Sequence, residues 1–231
     1  MTVDAVLFDW GGTLSLYRQV DLLDMWRTAA AVLAPDDPEP VAAALLAAED
    51  HWWQVQVRAG DRSGTTEDLL RSVAAETGLD VLSAAQRAYH DAWGDTVEHD
   101  RAARGTLAEL KRRGLRTGLL SNTHWPQAVH DAWLDRDGLL ELLDVRMYTS
   151  DMAHMKPHRE AFLALCSALE VAPERCVFVG DRPHDDISGA ASVGMRTVLL
   201  TGRPVPPEDV NPDAQLPDLR GLVDLIDRWR S

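Results

Sequence analysis

The chain has 231 residues, about one and a half domains' worth at roughly 150 residues each, which fits one α/β domain or a domain carrying a sizeable insert. Its 37 acidic residues outweigh 23 basic ones, giving a formal charge of −14, and only Lys111 and Lys156 among the basic residues are lysines. That balance argues against a nucleic-acid or anionic-membrane footprint, which needs a positive face, and leaves room for a small anionic substrate held by a few local groups.

The opening segment MTVDAVLFDW has an acid at Asp4 and no basic run, and its apolar stretch, residues 5 to 8, is too short for a signal peptide or a membrane span. A soluble, cytoplasmic protein is expected. Short apolar runs ending in small or acidic residues read as buried parallel strands: AVLF before Asp9, TGLL before Ser121, VFV before Gly180 and Asp181, and TVLL before Thr201. DVRMYT, residues 144 to 149, is a weaker fifth. Helical patterns fall at 102 to 113, closed by Gly114, at 126 to 134, opened by Pro126, and at 159 to 170 and 219 to 230. The segment 202 to 217 holds five prolines and is expected to be an ordered-to-loose excursion before the last helix. Strand and helix alternate, which predicts a doubly wound parallel sheet. From about 19 to 98 no strand run appears; helices are predicted at 20 to 33, 40 to 58, 66 to 77 and 82 to 96. The expected layout is a core of residues 1 to 18 and 99 to 231 with an inserted helical cap, 19 to 98.

Four pieces carry chemistry. VLFDWGGTL places Asp9 at a strand end, where ligand sites of open sheets lie, and follows it with Gly11 and Gly12. A carboxylate there can attack phosphorus while glycine-rich backbone amides approach an anion; equally, it can cap a turn. LLSNTHW ends a strand in Ser121 and Asn122, suited to donating to a phosphoryl oxygen or to making a turn. Lys156, one of only two lysines, precedes Pro157, and its ammonium can pair with a nucleophile or simply face solvent. VFVGDRPHDDISGA presents Asp181, Asp185 and Asp186, hard oxygen ligands that suit Mg²⁺, although acids also decorate helix N-termini, and that is one reading of Asp185.

Taken in this order, Asp9 to Leu14, Ser121 with Asn122, Lys156 with Pro157, and Gly180 to Asp186 resemble the motifs of the haloacid dehalogenase (HAD) superfamily of aspartate-nucleophile hydrolases. The resemblance spans nearly the whole chain, and the insert resembles the small helical cap of the phosphoglycolate-phosphatase-like and dehalogenase-like branch. It implies a Rossmann-like core and catalytic roles for Asp9, Ser121 and Lys156. It also implies substrate contacts at Gly12, Thr13, Asn122 and Arg18, and Mg²⁺ on Asp9, the Gly11 carbonyl, Asp181 and Asp186. The implied reaction is hydrolysis of a small phosphate monoester through an aspartyl-phosphate at Asp9.

One residue departs from that pattern. Phosphatases resembling this chain usually carry an acid two residues past the nucleophile, where this sequence has Gly11. General acid catalysis commonly contributes about 10²- to 10⁴-fold. Three alternatives follow. A 2-haloacid dehalogenase needs no such acid, but the acidic pair in the last motif disfavours it. A Schiff-base hydrolase needs a cap lysine, and residues 19 to 98 contain none. A catalytically weak binding or regulatory relative is the third. His124 and His184 are candidate substitute proton donors or ordinary loop histidines. In the cap, His51, Gln54, Arg58 and Arg62 are polar candidates for reading substrate, Trp26, Trp52 and Trp53 are expected to pack between helices, and Tyr17 and Arg18 follow the first motif. Cys166 and Cys176 are too few for a disulfide framework or a four-thiolate metal site and read as core.

Overall fold

A computed structural model describes residues 2–57, 63–204 and 209–231. Among these, six strands form a single parallel sheet: β1 (Ala5–Phe8), β2 (Arg116–Ser121), β3 (Val145–Tyr148), β4 (Cys176–Gly180), β5 (Arg196–Leu200) and β6 (Ala214–Leu216), in the order β3-β2-β1-β4-β5-β6. The chain order reverses direction across the sheet between β1 and β4, which opens a crevice at the carboxyl ends of those strands. Register brings the key residues there together, because Phe8 pairs with both Leu119 and Val179. Asp9, Ser121 and Asp181 therefore sit at or just beyond one edge of the sheet.

The strands read as unbroken apolar runs because both faces are covered. On one face α5 (Ala103–Arg112), α6 (Gln127–Arg136) and α9 (Leu222–Arg230) pack on Val6, Phe8, Leu119 and Val179. On the other, α7 (Arg159–Leu169) and the short α8 (Gly189–Ala191) pack on Leu7, Leu120 and Phe178. Cys166 and Cys176 lie in this second layer as expected, their sulfurs 3.7 Å apart.

Between β1 and α5 the chain is helical throughout its regular parts, with α1 (Leu22–Leu33), α2 (Glu39–Trp52), α3 (Thr66–Val73) and α4 (Leu79–Gly94). Asp21 caps α1, and Thr65 with Asp68 closes a reciprocal capping box on α3. These helices fold on their own apolar cluster, in which Trp26 stacks on Tyr89 with ring centroids 4.0 Å apart.

The structure differs from the sequence expectations in three places. The helix expected to run to residue 58 ends at Trp52 and gives way to a wider π-helical turn, Trp53–Val57. That expected to reach 77 stops at Val73. The proline-rich segment is not wholly irregular: Ala214–Leu216 forms β6, the edge strand, paired in parallel with β5. An edge strand needs only one hydrogen-bonded side, and the prolines at 212 and 217 lie outside it.

One buried histidine makes stability depend on pH. His130 is fully buried, stacks on Tyr148 and meets the Thr123 hydroxyl at 3.1 Å, while its Nδ1 has no partner among the described residues. Burial, with a smaller push from His124, lowers its pKa from 6.5 to about 3. Below pH 6.5 the unfolded chain takes up a proton that the folded chain refuses, so stability falls as the solution is acidified. Between pH 6.5 and 5 this amounts to about 2 kcal/mol. His130→Phe is therefore expected to shrink the loss of melting temperature between pH 7 and pH 5, and an undiminished loss would count against this assignment.

Candidate active site

The nucleophile candidate is placed by backbone pairing on both sides. The Asp9 amide donates to the Val179 carbonyl at 2.9 Å, and the next turn closes through donation from the Ser15 amide to the Trp10 carbonyl at 2.8 Å. Trp10 is itself held, since its indole N–H donates to His99 Nε2 at 3.2 Å while His99 Nδ1 meets Asp137 at 2.6 Å. Burial keeps the His99 pKa low despite Asp137, so the ring is neutral, with Nδ1–H donating to the carboxylate and Nε2 accepting from Trp10. Gly12 has φ +81°, a conformation that L side chains rarely adopt, and a Cβ there would lie 2.5 Å from Asp181 and from Tyr17. The Gly12 carbonyl accepts from Arg203 Nε at 2.6 Å, and Arg203 also pairs with Asp100 at 2.9 Å.

Lys156 enters the site from the loop before α7. Asn122 fixes that loop: its amide donates to the Lys156 carbonyl and its oxygen accepts from the Lys156 amide, each at 2.8 Å. The ammonium is 1% exposed and donates to Asp9 Oδ1 at 2.6 Å and to Asp186 Oδ1 at 2.7 Å. Burial disfavours its charge, but Asp186 and Asp9 together hold its pKa above the ordinary lysine value. Asp186 folds back against Gly180, where a Cβ would come within 2.3 Å of its carboxylate, and its second oxygen accepts from the Arg182 amide at 2.9 Å.

Asp9, Asp181 and Asp186 each place a carboxylate oxygen within 4.8 Å of the others, and all three are buried. Neither oxygen of Asp181 has a hydrogen-bond partner among the described residues. Burial, then the charges of Asp9 and Asp186, raise the Asp181 pKa to about 8. Burial raises Asp9 to about 6, with Lys156 opposing the shift. Three buried acids stand around the Lys156 ammonium, with the Arg182 guanidinium also nearby, and the oxygens of Asp181 are the hard donors a divalent cation takes, so the residues fit Mg²⁺.

The site opens into a cavity of about 1140 Å³ that runs from Asp9, Ser121, Lys156 and Arg182 toward α1 and α2. A family model described as haloacid dehalogenase-like hydrolase matches residues 3–194. The chain belongs to that family. It is an enzyme of the HAD-like hydrolase class. Its relatives include a glyceraldehyde 3-phosphate phosphatase of Pyrococcus furiosus, 33% identical over 135 residues, a match spanning 56% of this chain and 53% of that protein. The pyrophosphatase PpaX of Bacillus mycoides is 25% identical over 236 positions and 99% of both chains. Among solved structures, a HAD phosphatase from Thermococcus onnurineus superposes with a TM-score of 0.70 at 22% identity, covering 97% of this chain and 98% of its own. A 2-haloacid dehalogenase from Pseudomonas syringae pv. Tomato gives 0.69 at 22% identity, covering 99% and 100%. Likeness at this identity speaks for the HAD fold alone.

Of the residues singled out from the sequence, Asp9, Gly11, Gly12, Ser121, Asn122, Lys156 and Arg18 line the cavity. Asp181 and Asp186 are buried beside Asp9. The Thr13 side chain is fully buried and is not among the residues that line the cavity. Asn122 spends both ends of its amide on Lys156, so it positions the lysine. Arg18 pairs with Glu98 at the cavity wall. His184 is exposed, as are His51 and Gln54; Arg58 and Arg62 lie outside the described residues. Trp26, Trp52 and Trp53 pack among helices as expected, and Trp53 also lines the cavity.

Two features escaped the sequence reading. Arg182 lines the cavity amid the charges of Asp185, Asp9 and Asp181. Glu49, on α2, accepts from Trp26 Nε1 at 2.7 Å and meets His124 Nε2 at 2.9 Å. Burial opposes the Glu49 charge, yet His124 and Trp26 hold its pKa below the usual range. His124 Nδ1 in turn meets the Thr66 hydroxyl at 3.1 Å, and the Thr66 amide donates to the His124 carbonyl at 2.7 Å. With both ring nitrogens occupied by Thr66 and Glu49, His124 latches the sheet-edge loop to α2 and α3. Glu49→Gln leaves one of two buried donors facing an NH₂ group, and is expected to cost about 1–3 kcal/mol. Chemical denaturation checks this, and an unchanged midpoint would remove the latch.

Proposed function

We propose that this chain is a Mg²⁺-dependent phosphatase that hydrolyses a small phosphate monoester through an aspartyl-phosphate at Asp9. The observation carrying this reading is Asp181, whose two buried, unpartnered oxygens lie beside Asp9 and Asp186. A site so arranged favours chemistry on an anionic phosphoryl group with a divalent cation over displacement of halide. The phosphatase names of relatives point the same way. Residues 1 to 18 and 99 to 231 act as the core, and 19 to 98 as the cap that selects substrate, in a cytoplasmic setting.

In this mechanism an Asp9 oxygen attacks phosphorus, the ester P–O bond breaks and its electron pair leaves with the substrate oxygen. Water then attacks the phosphorus of the acyl phosphate, releasing inorganic phosphate and restoring the carboxylate. Lys156 keeps Asp9 oriented and its negative charge tolerable, and donates toward the transferring oxygens. Ser121 offers a hydroxyl from the end of β2. Asp9, Asp181, Asp186 and the Gly11 carbonyl would hold Mg²⁺, which when bound offsets the charge of the phosphoryl group.

Release of phosphate from 4-nitrophenyl phosphate is expected to require Mg²⁺, to vanish with chelator, and to fall about a thousandfold or more in Asp9→Asn. Mg²⁺ at 100 times its Kd is expected to stabilise the chain by about 2.7 kcal/mol, an effect lost in Asp181→Asn. Absence of Asp9-dependent phosphate release, with halide release measured in parallel on 2-haloacids, would overturn the reading. A Cβ built at Gly11 meets nothing within 4 Å, so Gly11→Asp is accommodated. It is expected to raise turnover of alkyl phosphates by about 10²-fold, the scale of general acid catalysis. An unchanged or lower rate would mean that another group already delivers the proton.

A further inference from the structure

The cavity has two ends of different chemistry. At the nucleophile end stand Lys156 and Arg182. The helices between β1 and α5 add Leu23, Leu46, Ala47 and Trp93 to the lining, with Trp53 from the turn after α2, and the charged groups that α2 adds are both acids, Glu49 and Asp50. Glu49 is already committed to His124 and Trp26. Arg18, which also lines the cavity, is paired with Glu98. Among the described residues of these helices, a second anionic group on the substrate would therefore meet apolar surface and like charge, and would lose its hydration without recovering it.

The loop bearing Asp9 adds an independent constraint. Its next residues, Trp10, Gly11 and Gly12, have no proton to give a departing alkoxide, and the space beyond Gly11 is open for 4 Å. His124, the nearest histidine in sequence to Ser121, has both ring nitrogens engaged. Asp185 and Tyr17 also line the cavity, but neither is among these three residues, and a leaving oxygen that departs as a stable anion needs a proton from neither.

Resting on the phosphatase reading, we infer that the substrate is an aryl phosphate monoester whose leaving group is bulky, apolar and uncharged. Asp9 forms its bond to phosphorus as the P–O(aryl) bond breaks. The electron pair leaves with the phenolic oxygen, which takes its proton from solvent. Water then cleaves the aspartyl-phosphate. The aromatic ring occupies the space beside Gly11 and reaches the leucine and tryptophan wall.

The test compares kcat/KM of the full chain with Mg²⁺ on five substrates: 2-naphthyl phosphate, 4-carboxyphenyl phosphate, benzyl phosphate, glyceraldehyde 3-phosphate and pyrophosphate. The expected result is that 2-naphthyl phosphate exceeds each of the others by about tenfold or more, a scale set by pocket discrimination between similar groups. Loss against 4-carboxyphenyl phosphate reports the apolar wall, and loss against benzyl phosphate reports the missing proton. Leu46→Arg is expected to narrow the gap between 2-naphthyl and 4-carboxyphenyl phosphate through KM. Asp9-dependent turnover in which a charged or alkyl ester equals or exceeds 2-naphthyl phosphate overturns this inference while leaving the phosphatase reading intact. Absence of Asp9-dependent turnover on every ester removes both.

Discussion

A lysine ammonium, 1% exposed and wedged between Asp9 and Asp186, sets the terms for everything around it. A buried cation is tolerated only where carboxylates compensate it, and removing one partner from such a pair costs about 3–5 kcal/mol. Asp181 adds a third carboxyl group beside this pair, and burial together with the charges of Asp9 and Asp186 raises its pKa even with Tyr17 and Arg182 close by. The raised pKa values of Asp9, about 6, and Asp181, about 8, express the cost of that burial from the acid side. The rest of the fold serves to hold these groups at one sheet edge: parallel pairing sets the height of Asp9, Gly180 makes room for Asp186, and the Asn122 amide fixes the backbone of Lys156.

Much of this arrangement was legible in the sequence because parallel strands buried on both faces leave unbroken apolar runs, and each run here ends where chemistry begins. AVLF, TGLL and VFV name the strand ends that carry Asp9, Ser121 and Asp181 without any knowledge of pairing. β6 was not legible, since three residues of mixed exposure at a sheet edge carry no apolar signature and sit among prolines. Glu49 was invisible for a different reason. In a helix of alanines and leucines it reads as a solvated acid, and only tertiary packing brings it to His124, 75 positions away. Thr13 shows the reverse limit: proximity to a motif in sequence does not decide whether a side chain faces the cavity or the core.

The glycine at position 11 and the apolar wall of the cavity bear on one question from opposite sides. One concerns what the leaving oxygen is given, the other what the leaving group is made of. A small residue beside the nucleophile would be a defect in a site built for alkoxide departure, and a source of room in one built for a ring. The family relationship fixes the core chemistry within a class of hydrolases, whereas the residues that narrow it are contributed by helices and loops with no motif of their own.

The contact between Arg203 and the Gly12 carbonyl joins residues 191 positions apart. β1 is likewise central to the sheet, bonded on one side to β2 and on the other to β4, both far downstream. Asp9 is thus synthesised before the groups that surround it, because the strands beside β1, Lys156 and the arginine that braces its loop all lie downstream. Until they are in place Asp9 is an ordinary hydrated carboxylate with an ordinary affinity for protons. The carboxylate at position 9 therefore takes its buried environment only from segments made after it, so a chain interrupted partway carries Asp9 without the lysine and the arginine that surround its loop.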